Sequence, residues 1–523
     1  VGQIFNKSVF PISLILVITG MLLSLWPGVF VVSLNPRLVL DIFLPLLVYQ
    51  ISVYSSWKDF KKNIRPILLL SVGHVVFITI IIAVAVHFLI PEFGWPLAFI
   101  VGAVLAPPDT VAIVSIAEKI RMPNRIITIL EGEGLLNDAT ALTLFRFALA
   151  ALLTHQFSPL DAFFTFLLII IGETLYGLAL GFAVAELRLR IINPMLHIMA
   201  SLITPFLAFL PAVWLGGSGI IATVVVGFVI SHTYSARFNS EFRLLSHALW
   251  PAIAFALQGI LFLLVGLNFK TIFNSILPLS LEKLFLHSII IILIIILGRF
   301  FWIYTVVFFL PRYVFPGISK KEPHVPWQFP LVLSWAGMRG GISLAAALAV
   351  PILPGSITGV NPRSLLIFLV FIVIAATFLL QGLTLPLLLK KINIKKYNVP
   401  ENFDEHVAEL AARKIMTQAV LEWLFSYQNT ILNNKKLFYH VKLQVKKYEH
   451  QFSHLQEQIN HHNVDILLHD DTAEEKELLI YSQIISIEKK EIIQLYHSEK
   501  ITFKIREKLL TELDHRSNQL TQI

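Results

Sequence analysis

The sequence predicts an all-α polytopic membrane protein with a helical cytoplasmic tail. Three observations carry that reading. Apolar runs of 18 or more residues recur from about Phe10 to Leu389, each long enough to cross a bilayer. Charged residues make up only 14% of the 523, and mean hydropathy is +0.75. After Pro400 the pattern changes abruptly to polar, amphipathic stretches such as AELAARKIMTQAVLEWLF, with no span left.

The runs resolve into twelve spans, at roughly 10–27, 36–54, 65–90, 95–118, 124–154, 160–189, 195–214, 217–233, 245–268, 283–310, 327–350 and 363–390. With Val1 on the cytoplasmic side, KDFKKNIR, EKIRMPNR, RLR, SARFNSEFR, PRYVFPGISKK and KKINIKK all become cytoplasmic. They hold eighteen basic residues, whereas the opposite loops hold only Arg37, Lys270, Lys283 and Arg363. The positive-inside rule then orients the chain and puts both ends in the cytoplasm. The division expected is a transmembrane domain over 1–396 and a helical regulatory tail over 397–523. Nine of the seventeen histidines fall in that tail. Solvated helices explain them more simply than a pH sensor does, and any regulatory ligand or protein at the tail stays unspecified.

The formal charge of +8 does not point to nucleic acid, because the basic residues lie in short loops between spans. The absence of cysteine excludes disulfides and thiolate metal sites. No small-residue cleavage site follows the first apolar run, which therefore reads as a span rather than a signal peptide.

Two spans are interrupted. VGAVLAPPDTVAIV sets Pro107 and Pro108 at mid-membrane, where missing amide donors break the helix. SWAGMRGGISL sets Gly337, Gly340 and Gly341 around Arg339, also near mid-span. Broken helices at corresponding places in two halves mark a transporter binding site. The two run in opposite directions, so the repeats are inverted. Pairing spans three to five with ten to twelve, and one and two with eight and nine, leaves span seven alone. A helix preceding Val1 is the expected partner, giving thirteen in all.

A charge at the centre of a transmembrane helix costs about 2.5–3.5 kcal/mol on insertion scales, so each such residue needs a reason. EGEGLLNDAT, at 131–140, brings Glu131, Glu133, Asn137 and Asp138 into an apolar span. Asp109 and Asp138 lie about thirteen and sixteen residues either side of the turn near Pro123, within roughly 6 Å of equal depth on antiparallel neighbours. Two carboxylates beside a helix break suit a small hard cation, helped by freed carbonyls, and suit protons equally. If Asp138 holds a cation or a proton but never both, and only the loaded site changes sides, cation–proton exchange results. Asn137 adds hydrogen bonding without charge, which favours one cation per proton.

The other charges read differently. Arg299 is mid-span and needs an anion; Glu133 is its expected partner in a core ion pair. Arg339 compensates half-helix dipole ends where the broken spans cross. Glu131 approaches the cytoplasmic side. Arg146, Glu173, His74 and His87 read as helix-packing or interface residues outside the site.

These motifs together, LAPPDTVAIVSI, ILEGEGLLNDATALTLFRFA and LSWAGMRGGISLAAALA, resemble the first cation–proton antiporter family in its bacterial sodium/proton exchanger branch. The similarity runs over about residues 9–390. It implies an inverted-repeat antiporter fold with two broken crossing helices, a homodimer, and a core moving against a dimerisation domain. It also implies electroneutral sodium/proton exchange in a bacterial inner membrane, with membrane lipid as surroundings and no cofactor beyond the transported ions. By position, the ion-binding pair is Asn137 and Asp138, the aspartate of the unwound helix is Asp109, and the core ion pair is Glu133 with Arg299. The sequence departs from the pattern at three places. Pro108-Asp109-Thr110 replaces Thr-Asp-Pro, so that Pro108 supplies the carbonyl and Thr110 a hydroxyl. Gly134 replaces a serine, and Gln50, in LPLLVYQ, replaces a pathway glutamate. Lithium or potassium therefore competes with sodium as cargo.

Rival readings fare less well on the residues. An intramembrane aspartyl protease would share one proton between Asp109 and Asp138, but three residues separate the second Gly of GEGLLND from Asp138. A cation channel needs no proton coupling, and a symporter needs a solute pocket that neither broken span offers.

Overall fold

The helix break that the prolines predict sets the architecture. The computed structural model describes residues 12–26, 35–110, 113–114, 122–234, 237–238, 240–276, 281–309, 326–352, 360–392, 405–430, 435–461, 475–498 and 500–521. Among these the regular elements are helices. Eight are apolar and long enough to cross a membrane, and the apolar region also holds three shorter apolar helices and the two halves of one interrupted span.

In chain order, α1 is Ile12–Leu25 and α2 is Pro36–Tyr54, with a π-helical turn at Val39–Phe43. A short α3, Trp57–Lys62, leads into α4, Ile64–Leu89. Helix α5, Gly94–Leu105, stops two residues before Pro107, well short of the full span that hydropathy alone suggests. Helices α6, Asn124–Thr154, and α7, Pro159–Leu189, are full-length. Next come α8, Pro194–Trp214, α9, Ile220–Val229, and α10, Ser240–Leu267. A short α11, Phe269–Asn274, precedes α12, Leu281–Trp302, which continues as a π-helical turn to Phe309. The second break separates α13, Gln328–Trp335, from α14, Gly341–Ala349. Helix α15, Pro362–Lys391, closes the apolar region, its first turn capped by the Asn361 side chain, which accepts from Arg363 N at 2.9 Å.

The apolar core runs through α4, α5, α6, α12 and α15, with Ile78, Ile82, Val101, Ile129, Ile291, Phe368 and Val370 at 2% exposure or less. Helix α7 is the opposite case. Phe163, Phe164, Leu168 and Ile171 are all more than half exposed, as side chains facing lipid or another chain are. Glu173, on the same helix, turns inward and is buried. It accepts from Gly219 N at 2.9 Å, Ile221 N at 3.1 Å and the Ser218 hydroxyl at 3.0 Å. An anion is thus set on the orphan amides that open α9, the packing role expected of it.

The chain divides into two compact units, one of Val1–Arg188, Met199–His232 and Trp250–Asn398, the other of Leu189–Ile198, Thr233–Leu249 and Val399–Ile523. The second unit contains α16, Glu405–Thr430, α17, Lys435–His461, α18, Glu475–His497, and α19, Phe503–Thr521. Its centre is apolar, with Met416, Ile492, Leu509 and Leu510 buried. Charges inside it are paired. The Arg243 guanidinium donates to both Asp514 oxygens, Nε at 2.6 Å, and Lys489 Nζ reaches the same carboxylate at 3.0 Å. Glu507 takes His247 Nε2 at 3.2 Å and Arg506 Nη2 at 2.6 Å.

Those contacts make the tail acid-sensitive. Burial alone would raise the Glu507 carboxyl, but the His247 hydrogen bond and Arg506 outweigh it and bring the pKa down to about 2. A depressed carboxyl stabilises the folded form above its unfolded pKa of about 4.3, and that contribution fades as the pH falls toward about 2. The stabilisation is on the order of 3 kcal/mol at neutral pH. Amide exchange in peptides from 503–521 of the intact protein, corrected for intrinsic rate, is expected to speed up between pH 5 and pH 3. E507Q should flatten that dependence. Burial raises the Glu488 carboxyl despite Arg516, an effect of opposite sign that E507Q leaves in place.

Candidate functional site

From Ala106 to Thr110 the chain is not helical and, at Pro107 and Pro108, has no amide donors, so its carbonyls need other partners. Two buried side chains provide them. Arg339 Nη1 donates to Ala106 O at 2.7 Å, and Asn137 Nδ2 donates to Pro108 O at 2.8 Å. The broken segments also meet directly, Asp109 N donating to Met338 O at 2.6 Å. Asn137 and Arg339 are both fully buried. The guanidinium therefore lies at the carbonyl end of α5, where a cation is favoured.

Two glycines make the crossing possible. A Cβ on Gly340 would overlap the Asp109 carboxylate, which thus sits against the first turn of α14. Amide groups there have no intrahelical acceptors and the helix dipole is positive, so an anion is stabilised. A Cβ on Gly134 would overlap Thr110 Oγ1. The Thr110 hydroxyl thus occupies the space that a side chain at position 134 would take. G134A is expected to displace Thr110 and lower transport at least tenfold, about the effect of a misplaced contact of 1 Å or more. G134A/T110A should recover the thermal stability of the wild type without recovering its cation affinity, which melting curves and transport assays on the same preparations would read.

A cavity of about 40 Å³ opens at this crossing, lined by Pro108, Asp109, Thr110, Gly134, Asp138, Gly340 and Ser343 on its polar side. It has room for ~2–3 water-sized spheres. Leu44, Leu47, Val48 and Ile51 of α2 form the apolar wall opposite. Asp109 and Asp138 are each partly exposed, in contrast to the buried residues around them. Their carboxylates therefore share one small, wettable space. Among the described residues no three His, Cys, Asp or Glu side chains gather as a resident metal site would require. Two carboxylates with neutral oxygens around them suit a monovalent cation in transit better than a tightly held divalent one.

Glu133 and Arg299 lie outside the cavity. Arg299 Nη1 and Nη2 reach the two Glu133 oxygens at 2.6 and 2.9 Å, and both side chains are buried. The same guanidinium donates to Leu333 O at 3.0 Å and Ala336 O at 3.1 Å. It thereby ties α6 to α12 and to the carbonyl end of α13, the positive charge again meeting a helix C-terminus.

The remaining residues singled out in the sequence are dispersed. Gln50 lies on α2 but is not among the residues of the cavity wall. Glu131 accepts from the Ser55 hydroxyl at 3.3 Å. Arg146 donates to Gly217 O, and His87 stacks on Trp95 with ring centroids 4.1 Å apart. His74 is buried on α4. Ser343 and the wall of α2 were missed by sequence reasoning. A hydroxyl two residues into a helix that follows Gly-Gly is the only signal that pointed to Ser343.

A sequence profile described as "Sodium/hydrogen exchanger, transmembrane" matches residues 1–391, three quarters of the chain. The chain belongs to the sodium/hydrogen exchanger family. Members of that family are transporters, not enzymes. Among its relatives is a sodium, potassium, lithium and rubidium/H+ antiporter of Bacillus pumilus, 32% identical over 434 residues, 80% of this chain and 63% of the relative. The chain thus spans less than two thirds of that antiporter. The Na+/H+ antiporter ApNhaP of Aphanothece halophytica is 30% identical over 395 residues, 73% of this chain and 70% of its own. The solved structure of the sodium proton antiporter MjNhaP1 from Methanocaldococcus jannaschii superposes with a TM-score of 0.58 at 17% identity, covering 75% of this chain and 94% of that one. That likeness shows that the two share a fold.

Proposed function

We propose that this exchanger-family protein is a secondary active antiporter, moving one monovalent cation against one proton across a bacterial inner membrane. The observation that carries the proposal is the single cavity that Asp109 and Asp138 share beside both breaks. Asp138 is the group for which cation and proton compete. Loaded with either, the carboxylate is neutralised and the site can pass the apolar wall of Leu44, Leu47, Val48 and Ile51. Empty, it carries a charge whose transfer into apolar surroundings is opposed by desolvation. Exchange without slippage follows, and with one titrating group per cycle it is electroneutral. Sodium is the first candidate cargo, with lithium and potassium next, since the oxygens of the site bind all three by charge and fit alone. Two copies are expected to associate, in keeping with the family resemblance and with the wide apolar face of α7. Both ends of the chain are cytoplasmic in this reading.

Everted vesicles with an acid interior and a pH dye test it. Adding sodium, lithium or potassium should raise the luminal pH, and the signal should persist with the membrane potential clamped. A cation flux without proton movement would indicate a channel. No proton movement with any of the three cations would overturn the antiporter reading.

A further inference from the structure

Ser343 occupies a place in the cavity that its chemistry makes useful. It is the third residue of α14 and 4% exposed, on the same cavity as Asp109, Thr110 and Asp138. Serines inside helices usually return their hydroxyl to a carbonyl three or four residues back. In this chain Ser52 donates to Tyr49 O at 2.9 Å and Ser288 to Leu284 O at 2.8 Å, whereas the buried hydroxyls of Ser71 and Ser334 find no partner among the described residues. At Ser343 the residue four back is Arg339, which precedes the helix, so that local acceptor is not in helical register. Among the described residues the Ser343 hydroxyl makes no hydrogen bond to protein, and the residue lines the cavity.

We infer that Ser343 supplies a neutral oxygen to the transported cation, from the half of the site opposite Asp138, and so sets how well the cation competes with the proton. The inference rests on the antiporter reading and extends it. A dehydrated monovalent cation needs several oxygens at once. The Asp109 and Asp138 carboxylates, the Thr110 hydroxyl and the second lone pair of Pro108 O are in place, the first lone pair being used by Asn137. Those groups come from α6 and the first break. Ser343 completes the shell from α14, so a bound cation bridges the two broken spans. A hydroxyl is a ligand for the cation but contributes little to a proton covalently held on a carboxyl. Removing it should weaken one competitor and spare the other.

The test is exchange in everted vesicles with S343A, S343T and S343C beside the wild type. S343A is expected to raise the KM for sodium about tenfold, as the loss of one oxygen to a charged partner does, with maximal rate changed less than twofold. Because competition is one for one, half-maximal activity at fixed sodium should move to higher pH by up to about one unit. S343T, which keeps the oxygen, should hold the KM near wild type. S343C puts a soft sulfur in its place and should weaken lithium and sodium more than potassium. An unchanged KM and pH profile in both S343A and S343C would overturn the inference, as would a fall in rate alone. Neither result touches the antiporter reading, which fails only if the wild type moves no protons.

Discussion

Asp138→Asn is expected to abolish cation-dependent proton movement in everted vesicles while leaving the protein folded. Asparagine nearly matches aspartate in volume. The contacts that hold α6 are made by its neighbours: Asn137 to Pro108 O, and Glu133 to Arg299. The side chain at 138 faces the cavity instead, so its substitution removes charge without removing packing. The loss should be severe on both sides of the exchange. An amide cannot carry the transported proton at any accessible pH. A cation about 4 Å from a unit charge gains roughly 4 kcal/mol at an effective dielectric of about 20, worth on the order of a thousandfold in affinity. Asp109→Asn should be milder, with a raised KM and measurable exchange, because the first turn of α14 still holds the amide and Asp138 still titrates. Full exchange by D138N with sodium, lithium and potassium alike would remove the basis for competition at that carboxylate.

Much of this architecture can be read from local sequence, because the forces involved are local. Apolar runs set the spans, Pro107 and Pro108 end α5, and the glycines around Arg339 separate α13 from α14. Depth counted along two antiparallel helices brings Asp109 and Asp138 to one level, and the structure lines one cavity with both. What sequence does not disclose is contact across the crossing. Thr110 fits against Gly134 only because two backbones approach there, and no periodicity reports that. Glu173 caps a helix more than forty residues further on, which hydropathy registers merely as a misplaced charge. Segments 189–198 and 233–249 group with the tail through paired charges such as Arg243 with Asp514, and a polarity boundary drawn along the chain cannot show this. Ser343 escaped notice because a lone serine in an apolar helix is ordinary, and only its place on the cavity sets it apart.

Arg299→Met carries the largest expected effect on stability. It leaves Glu133 charged and buried with its guanidinium gone, and removing one member of a buried pair costs about 3–5 kcal/mol. It also strips the donors from Leu333 O and Ala336 O at the end of α13. The variant should accumulate poorly and melt well below the wild type. Adding Glu133→Leu removes the orphaned charge, and an apolar pair in place of a buried ion pair is often neutral. The double variant should therefore regain most of the loss, short of about 1–3 kcal/mol for each carbonyl left without a donor. Transport then separates two roles for the pair. If it serves only to hold α6, α12 and α13 together, the recovered double variant exchanges cations for protons at a reduced rate with sodium KM near wild type. If the pair takes part in moving charge, the double variant folds and stays silent. The geometry favours the first outcome, since both side chains are buried away from the cavity and their hydrogen bonds are directed at each other and at the backbone.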